Sequence, residues 1–196
     1  LREEYLDPCI PGAMLRGDME YILHETGAVW DGSNLSLPSA GVDLRKRENA
    51  FQNEKILKAD YAAWWYACYS LTTFKQYGLP LPLFFHADDV EYGLRIKANV
   101  IALNGICVWH EAFENKRASM VVYYDVRNIL IVNACHRTEW GFGRAAKMVL
   151  RRLVPCLLRY RYKDALLVCM GVMDFCKGAE ILKRNPERFN QTIVDM

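Results

Sequence analysis

Two adjacent carboxylates open one short run of this chain, His86-Ala87-Asp88-Asp89-Val90-Glu91-Tyr92-Gly93-Leu94-Arg95, and a histidine follows at Trp109-His110-Glu111. The run predicts a helix from Asp88 to about Ala98. Carboxylates at a helix N-terminus stay ionised because the macrodipole favours negative charge there. An ionised carboxylate in a cleft takes a proton from an attacking hydroxyl. A neutral imidazole at the end of a strand is a ligand for Mn²⁺, less often Mg²⁺. A base and a metal ligand together suit group transfer from a diphosphate to a hydroxyl. The same residues also have plainer readings. Asp88 with Glu91 three positions on is a capping box, and His110 can be a hydrogen-bonded structural histidine beside a solvated Glu111.

Other residues carry weaker signals. Trp64 and Trp65 are adjacent, so in a strand they would point to opposite faces. One indole can then line a sugar site while the other packs in the core. Arg127-Asn128 lies on a long helix, where Arg127 can anchor Asp88 or the loop before it through a bidentate pair, or form a partly exposed structural pair. His24 and His86 read as structural. Arg144, Lys147, Arg151, Arg152, Arg159, Arg161 and Lys163 interleave with apolar residues, and no acid falls between Arg144 and Lys163. An amphipathic basic helix of this kind suits an anionic membrane surface, or a packed helix with a solvated face.

The elements that must position these residues follow from pattern. Residues 8–15 predict a buried strand and 17–27 a helix stopped by Gly27. Asp31–Gly41 is a loop rich in Gly, Ser, Pro and Asn, followed by a charged surface segment to Lys58. Ser70–Tyr77 predicts a short helix closed by Gly78, and Phe84-Phe85 a short strand delivering His86. Asn104-Gly105 predicts a hairpin joining Val100–Leu103 to Ile106–Trp109. Ser119–His136 predicts a long helix with one apolar face. The chain from Gly143 on is helical, with a break or kink at Pro155.

Composition bounds the function. The 196 residues are 52% hydrophobic, enough for a real core, so a disordered chain is excluded. A net charge of +2 gives no reason to expect nucleic acid. Seven cysteines without a C-x-x-C pair give neither a zinc ribbon nor a disulfide framework, and point to reduced thiols in a cytosolic setting. The longest apolar run, Ala165–Met173, is too short to span a bilayer.

Taken in order, Gly12-Ala-Met-Leu15, Asp60-Tyr-Ala-Ala-Trp-Trp65, Gly78-Leu-Pro-Leu-Pro82, Phe85–Arg95, Val108-Trp-His110 and Tyr123-Tyr-Asp-Val-Arg-Asn128 resemble family 2 glycosyltransferases of the GT-A type. Within that family the resemblance is to galactofuranosyltransferase-like enzymes of bacterial cell-wall and surface-polysaccharide synthesis. It covers roughly residues 8 to 136. Tyr162-Lys-Asp-Ala-Leu and Asp174-Phe-Cys-Lys-Gly178 are similar to helical extensions of related polymerases.

The resemblance implies an α/β fold: the acceptor-side half of a GT-A (nucleotide-diphospho-sugar transferase) fold over 1–136, then a mainly α-helical extension over 137–196. It implies Asp89 as general base of an inverting reaction and Asp88 as an acceptor-holding neighbour. Trp64 and Trp65 become the acceptor wall, and His110 a metal ligand. Mn²⁺ or Mg²⁺ and a UDP- or dTDP-sugar donor are expected, with a glycan or lipid-linked glycan as acceptor. A cytoplasmic protein is expected, peripheral at the inner face of the plasma membrane through residues 144–163, without nucleic acid and with homo-oligomer contacts open. The family's D-x-D motif has no counterpart before Gly12, so the nucleotide-binding half is expected to be absent and the chain alone inactive. At Ala28, after Gly27, the resemblance leads one to expect an acidic acceptor-binding residue. The rival expectation is a non-catalytic membrane-docking or scaffold module whose Asp88 and Asp89 merely cap a helix.

Overall fold

A computed structural model describes residues 8–53, 56–97, 99–111, 119–137 and 139–195. The chain divides into two compact units. One comprises Leu1–Pro80 with Asp89–Lys116, the other Leu81–Asp88 with Arg117–Met196. Content is mixed α/β, as expected. The compact division groups the long helix at 119–136 with the C-terminal helices, whereas the expected division at 136/137 follows motif order.

Among the described residues the first unit holds three small sheets. Strands β1 (Pro8–Pro11), β6 (Ile56–Leu57), β7 (Ala67–Cys68) and β8 (Asn99–Ile101) run in the order β6-β8-β1-β7, with β1 and β8 parallel. Strand β2 (Ala13–Arg16) lies between β3 (Leu23–Glu25), antiparallel, and β9 (Cys107–His110), parallel. A hairpin pairs β4 (Val29–Trp30) with β5 (Leu35–Ser36). The apolar core at the second sheet is Ala13, Leu15 and Leu23.

Several expectations are corrected. Residues 8–15 form two strands in different sheets, divided at Gly12, whose N–H donates to the Tyr66 carbonyl at 2.7 Å. The helix expected over 17–27 is a turn followed by β3. Leu23 and Glu25 alternate inward there, a period of two that pairing with β2 selects over the helical reading. The Asn104-Gly105 turn forms, with Gly105 at φ 85°, but it joins β8 to β9 in separate sheets instead of closing a hairpin.

The helices follow their caps more closely. Helix α1 (Arg47–Asn53) lies in the charged segment. Helix α2 (Leu71–Tyr77) begins with the Ser70 hydroxyl accepting from the Thr72 N–H at 3.1 Å, and ends at Gly78 with φ 76°. Helix α3 (Asp88–Ile96) starts at the acidic pair and buries Val90, Glu91, Tyr92 and Gly93.

The second unit is helical: α4 (Ser119–His136), α5 (Phe142–Leu158), α6 (Tyr162–Cys176), a 3-10 turn (Gly178–Lys183) and α7 (Pro186–Asp195). Its core gathers Tyr123, Tyr124, Leu167 and Ile193. Helix α4 is more enclosed than a one-faced helix. Val126, Ile129, Leu130 and Val132 are buried, and so are the polar Arg127, Asn128 and Asn133. Gly171 on α6 allows that enclosure, because a Cβ there would sit 2.9 Å from the Tyr123 carbonyl oxygen. Helix α5 runs through Pro155 without ending, so of the expected break or kink the break does not form. Asp174, also buried, is matched by the Tyr123 hydroxyl at 2.8 Å, Lys177 at 2.6 Å and Arg184 at 2.9 Å. All seven cysteines are free.

Candidate active site

The boundary between the two units falls between Asp88 and Asp89, so each side is described by itself. In the first unit Asp89 stands in the first turn of α3, half-buried, and its Oδ1 accepts from the Val90 N–H at 2.8 Å. The capping-box reading gives Glu91 the task of reaching back. Glu91 is instead buried and committed forward, with Arg95 Nε 3.0 Å from its Oε1 and a second, shorter contact from Arg95 to the other oxygen. Arg95 also donates to the Leu79 carbonyl at 2.9 Å, tying α3 to the segment after α2.

Sequence reasoning missed the acid that faces Asp89. Glu25, on β3, is 4% exposed. Burial, aided by the nearby Asp89 charge, pushes its carboxyl up to about 8, although a hydrogen bond from Tyr61 pulls the other way. Its Oε1 has no hydrogen-bond partner among the described residues. Tyr61 is itself buried, and burial, Glu25 and Asp89 all raise its phenol. The expected acidic residue at 28 is absent; Ala28 is fully buried and bridges to Tyr61, the residue that holds Glu25. No sequence pattern singles out Glu25: in Leu23-His24-Glu25 the buried side chains alternate, but Glu25 is as polar as His24, so the run shows no apolar-polar alternation.

Close packing fixes this group. Gly93 lies one helical turn beyond Asp89, and a Cβ there would fall 2.2 Å from Tyr61 Cβ. Only a glycine lets α3 approach the Tyr61 backbone so closely.

Trp64 and Trp65 sit in a turn and not on a strand, so they diverge for another reason than strand alternation. Trp64 Nε1 donates to the Tyr69 hydroxyl at 2.9 Å, and its ring packs edge-on to Tyr92 with centroids 5.8 Å apart. Burial and Cys9 raise the Tyr69 phenol, and Asp89 adds to that shift. Trp64 and Asp89 thus share Tyr69 as a neighbour. Trp65 Nε1 donates to the Gly12 carbonyl at 3.1 Å, and its ring lies 6.3 Å from that of His110. His110 ends β9 opposite Arg16 of β2. Its Nδ1 is 2.7 Å from the Glu111 carbonyl oxygen, which only accepts, so Nδ1 carries the proton and Nε2 the lone pair of the neutral ring. No group of three His, Cys, Asp or Glu able to hold a metal occurs among the described residues.

In the second unit, the loop before α3 is strained and pinned. Phe84, His86 and Ala87 have φ of 71°, 70° and 65°, so the strand expected at Phe84-Phe85 does not form. Arg127 Nη2 donates to the Leu83 carbonyl at 2.7 Å, and Asn128 Nδ2 to those of Phe85 and His86 at 2.7 Å each. Arg127 therefore anchors the loop before Asp88 through its backbone. His86 Nδ1 is 3.4 Å from Asp125 Oδ1, and Arg152 Nε 2.6 Å from Oδ2. Burial raises the Asp125 carboxyl, but His86 and Arg152 outweigh it and hold the net value below the ordinary one. Asp88 itself is half-buried, and His24 is a half-buried residue of β3. A cavity of about 160 Å³ walled by Phe84, Tyr124 and Phe189 holds neither aspartate nor His110.

The chain aligns with two curated proteins. It is 28% identical over 190 residues to the galactofuranosyltransferase GlfT2 of Mycolicibacterium smegmatis, covering 88% of this chain and 29% of the relative. It is 34% identical over 135 residues to the galactofuranosyltransferase GlfT2 of Mycobacterium tuberculosis, covering 63% of this chain and 21% of the relative. In sequence this chain is galactofuranosyltransferase-like. The galactofuranosyltransferase-like chain spans less than a third of the length of either relative. No protein-family model matches it.

Proposed function

We propose that this chain is the acceptor-side half of a GT-A catalytic domain. The whole enzyme would be an inverting glycosyltransferase that moves a sugar from a nucleotide diphosphate to a hydroxyl of a glycan or lipid-linked glycan in cell-wall or surface-polysaccharide synthesis. The observation that carries the reading is the pairing of Asp89 at a helix N-terminus with the buried acid Glu25, in a chain that aligns with two galactofuranosyltransferases.

Asp89 is the general base. The Val90 N–H fixes one of its oxygens, and the start of α3 favours its charge. As the acceptor oxygen attacks the anomeric carbon, its proton passes to Asp89. The carbon–oxygen bond to the diphosphate breaks, and configuration inverts in one displacement. Glu25, protonated near neutral pH, keeps Oε1 for an acceptor hydroxyl, an assignment that its unpaired, buried oxygen supports. Trp64 and Trp65 supply ring faces for the apolar sides of the acceptor sugars, and Asp88 a further hydrogen-bond acceptor.

A single imidazole does not make a metal site. On this reading His110 offers one ligand to Mn²⁺ or Mg²⁺, which when bound supplies Lewis-acid stabilisation of the departing diphosphate. The donor is a UDP- or dTDP-sugar bound by a portion outside this sequence, so the chain alone does not transfer sugar. The proposed setting is cytoplasmic.

The test uses the longest natural protein that contains this chain. Sugar transfer from a panel of UDP- and dTDP-sugars with Mn²⁺ is compared between wild type, Asp89→Asn and Glu25→Gln. The expected result is collapse of kcat in folded Asp89→Asn and a raised acceptor KM in Glu25→Gln. Full transfer by Asp89→Asn would reduce Asp89 to a helix cap and overturn the assignment.

A further inference from the structure

Within the second unit, the loop before α3, helix α4, the 3-10 turn and the start of α7 enclose a cavity of about 160 Å³. Rings form much of its wall: Phe84 and Tyr124, with centroids 5.5 Å apart, and Phe189. A dry cavity of about 150 Å³ is large enough to hold benzene, so one ring fits here. Two of the lining residues are cations, Arg127 and Arg184.

Arg127 is 5% exposed. A guanidinium does not lose its proton in a protein, and a buried charge is ordinarily met by an opposite one. Arg127 meets neutral acceptors instead: the Asn128 carboxamide oxygen at 2.8 Å, the Leu83 carbonyl at 2.7 Å and the Tyr123 hydroxyl. Among the described residues no carboxylate pairs with it. Asp174 lies beyond the Tyr123 hydroxyl and already meets Lys177 at 2.6 Å and Arg184 at 2.9 Å. Arg127, Lys177 and Arg184 therefore share one carboxylate, and positive charge is in excess. Arg184 uses Nη1 on Asp174, while its Nε and Nη2 meet no acceptor among the described residues. Both guanidiniums lie over rings of the wall, Arg127 at 4.8 Å from the Tyr124 centroid and Arg184 at 4.8 Å from that of Phe189. Stacking occupies their faces and leaves N–H edges for a ligand.

An apolar occupant would leave the excess charge unmatched, and a bare inorganic anion would leave the rings unmatched. We propose that this cavity binds a small aromatic carboxylate. The ring lies among Phe84, Tyr124 and Phe189, and the planar carboxylate takes the free N–H edge of Arg184, with the Arg127 charge adding to the attraction. The site contains neither Asp89 nor His110, so the inference does not rest on the catalytic reading, and its test needs no transfer activity.

The test is fluorine NMR of para-fluorobenzoate titrated with the full chain, beside the neutral para-fluorobenzamide and with inorganic phosphate as competitor. Saturable binding of the benzoate is expected, with a dissociation constant of order 1 mM, which a ligand of about ten heavy atoms reaches at ordinary efficiency. The benzamide should bind about tenfold more weakly, and phosphate should not displace the benzoate. Arg184→Lys keeps a cation beside Asp174 but lacks the planar N–H edge, so it should retain its circular dichroism and weaken binding about fivefold. Leu182→Trp, at a half-buried position of the wall, should fill the space and abolish binding. Absence of saturation overturns the proposal, and so does equal binding of benzoate and benzamide. Displacement by an equal concentration of phosphate overturns it as well, since the anion alone would then be recognised. Unchanged affinity in folded Arg184→Lys or Leu182→Trp would place the bound benzoate elsewhere and overturn the assignment.

Discussion

The carboxamide nitrogen of Asn128 lies 2.7 Å from the carbonyl oxygen of His86, on the backbone turn that carries the chain into Asp88. Three non-glycine residues of that turn hold positive φ, each at a cost of order 1–3 kcal/mol. Asn128, fully buried on α4, offsets this strain by satisfying the Phe85 and His86 carbonyls together. Asn128→Ala leaves both without that donor and should destabilise the chain by about 2–3 kcal/mol. Asn128→Asp cannot donate either and should cost at least as much. Urea unfolding measures both; a loss within about 0.5 kcal/mol for Asn128→Ala, typical of an unimportant surface change, would mean the turn holds itself.

Glu25 gives a pH signature. Its carboxyl titrates near 8 in the folded protein, against about 4.5 for an ordinary glutamic acid. Between those values the folded state binds the proton and the unfolded state does not. Stability from this group is therefore full below the lower value and falls as pH rises toward the upper one, then levels off. The fall should reach up to a few kcal/mol. Glu25→Gln stays neutral throughout, so its unfolding free energy should lack this slope and exceed wild type near pH 8. Parallel slopes for the two proteins across that window would show that Glu25 ionises normally.

Asp125 works in the opposite sense. Its carboxyl is held below the ordinary value by His86 and Arg152 despite burial, so its stabilisation is present above the unfolded-state value and lost as pH falls through the folded one. Asp125→Asn should cost about 2 kcal/mol at neutral pH, since it leaves a partly buried Arg152 without its carboxylate. Chemical denaturation down the acid limb should find wild type and variant converging. A constant gap would place the cost in packing and not in charge.

The sequence was most readable where one short segment decides its own structure. Ser70 and Gly78 bound α2, the acidic pair starts α3, and the α4 boundaries at Ser119 and His136 are those expected. Sheet partners were not readable, because pairing joins residues far apart in the chain. Leu23-His24-Glu25 became a strand through β2, and Asn104-Gly105 turned without closing a hairpin, since β1 and β2 captured its two strands. Phe84-Phe85 fails for a related reason, as the Phe85 carbonyl is taken by Asn128 and that of Leu83, just before it, by Arg127. At the candidate site Asp89 and His110 are recognisable by residue type and order. Glu25 is not, because what singles it out is burial beside Tyr61.

Gly93 offers a test of that buried arrangement with opposite outcomes for the two readings. A glycine inside a helix costs about 1 kcal/mol relative to alanine, so Gly93→Ala at an open position would stabilise α3 by that amount. At Gly93 the new methyl would lie 2.2 Å from Tyr61 Cβ and 2.8 Å from both Tyr61 Cα and the Asp60 carbonyl oxygen. Two of those three atoms are backbone, so no rotamer change relieves the contact. The helix and the Tyr61 segment must separate, at a cost of about 1–3 kcal/mol for overpacking. Separation also draws the Tyr61 hydroxyl away from Glu25, which removes a hydrogen bond that lowers the Glu25 carboxyl while admitting solvent that lowers it further than burial now allows. Desolvation is the larger influence, so the stability slope between pH 4.5 and 8 should flatten in Gly93→Ala. Thermal unfolding across that range measures both effects at once. A variant more stable than wild type, with the slope intact, would mean that α3 does not press on Tyr61 and that Glu25 is shielded by other atoms.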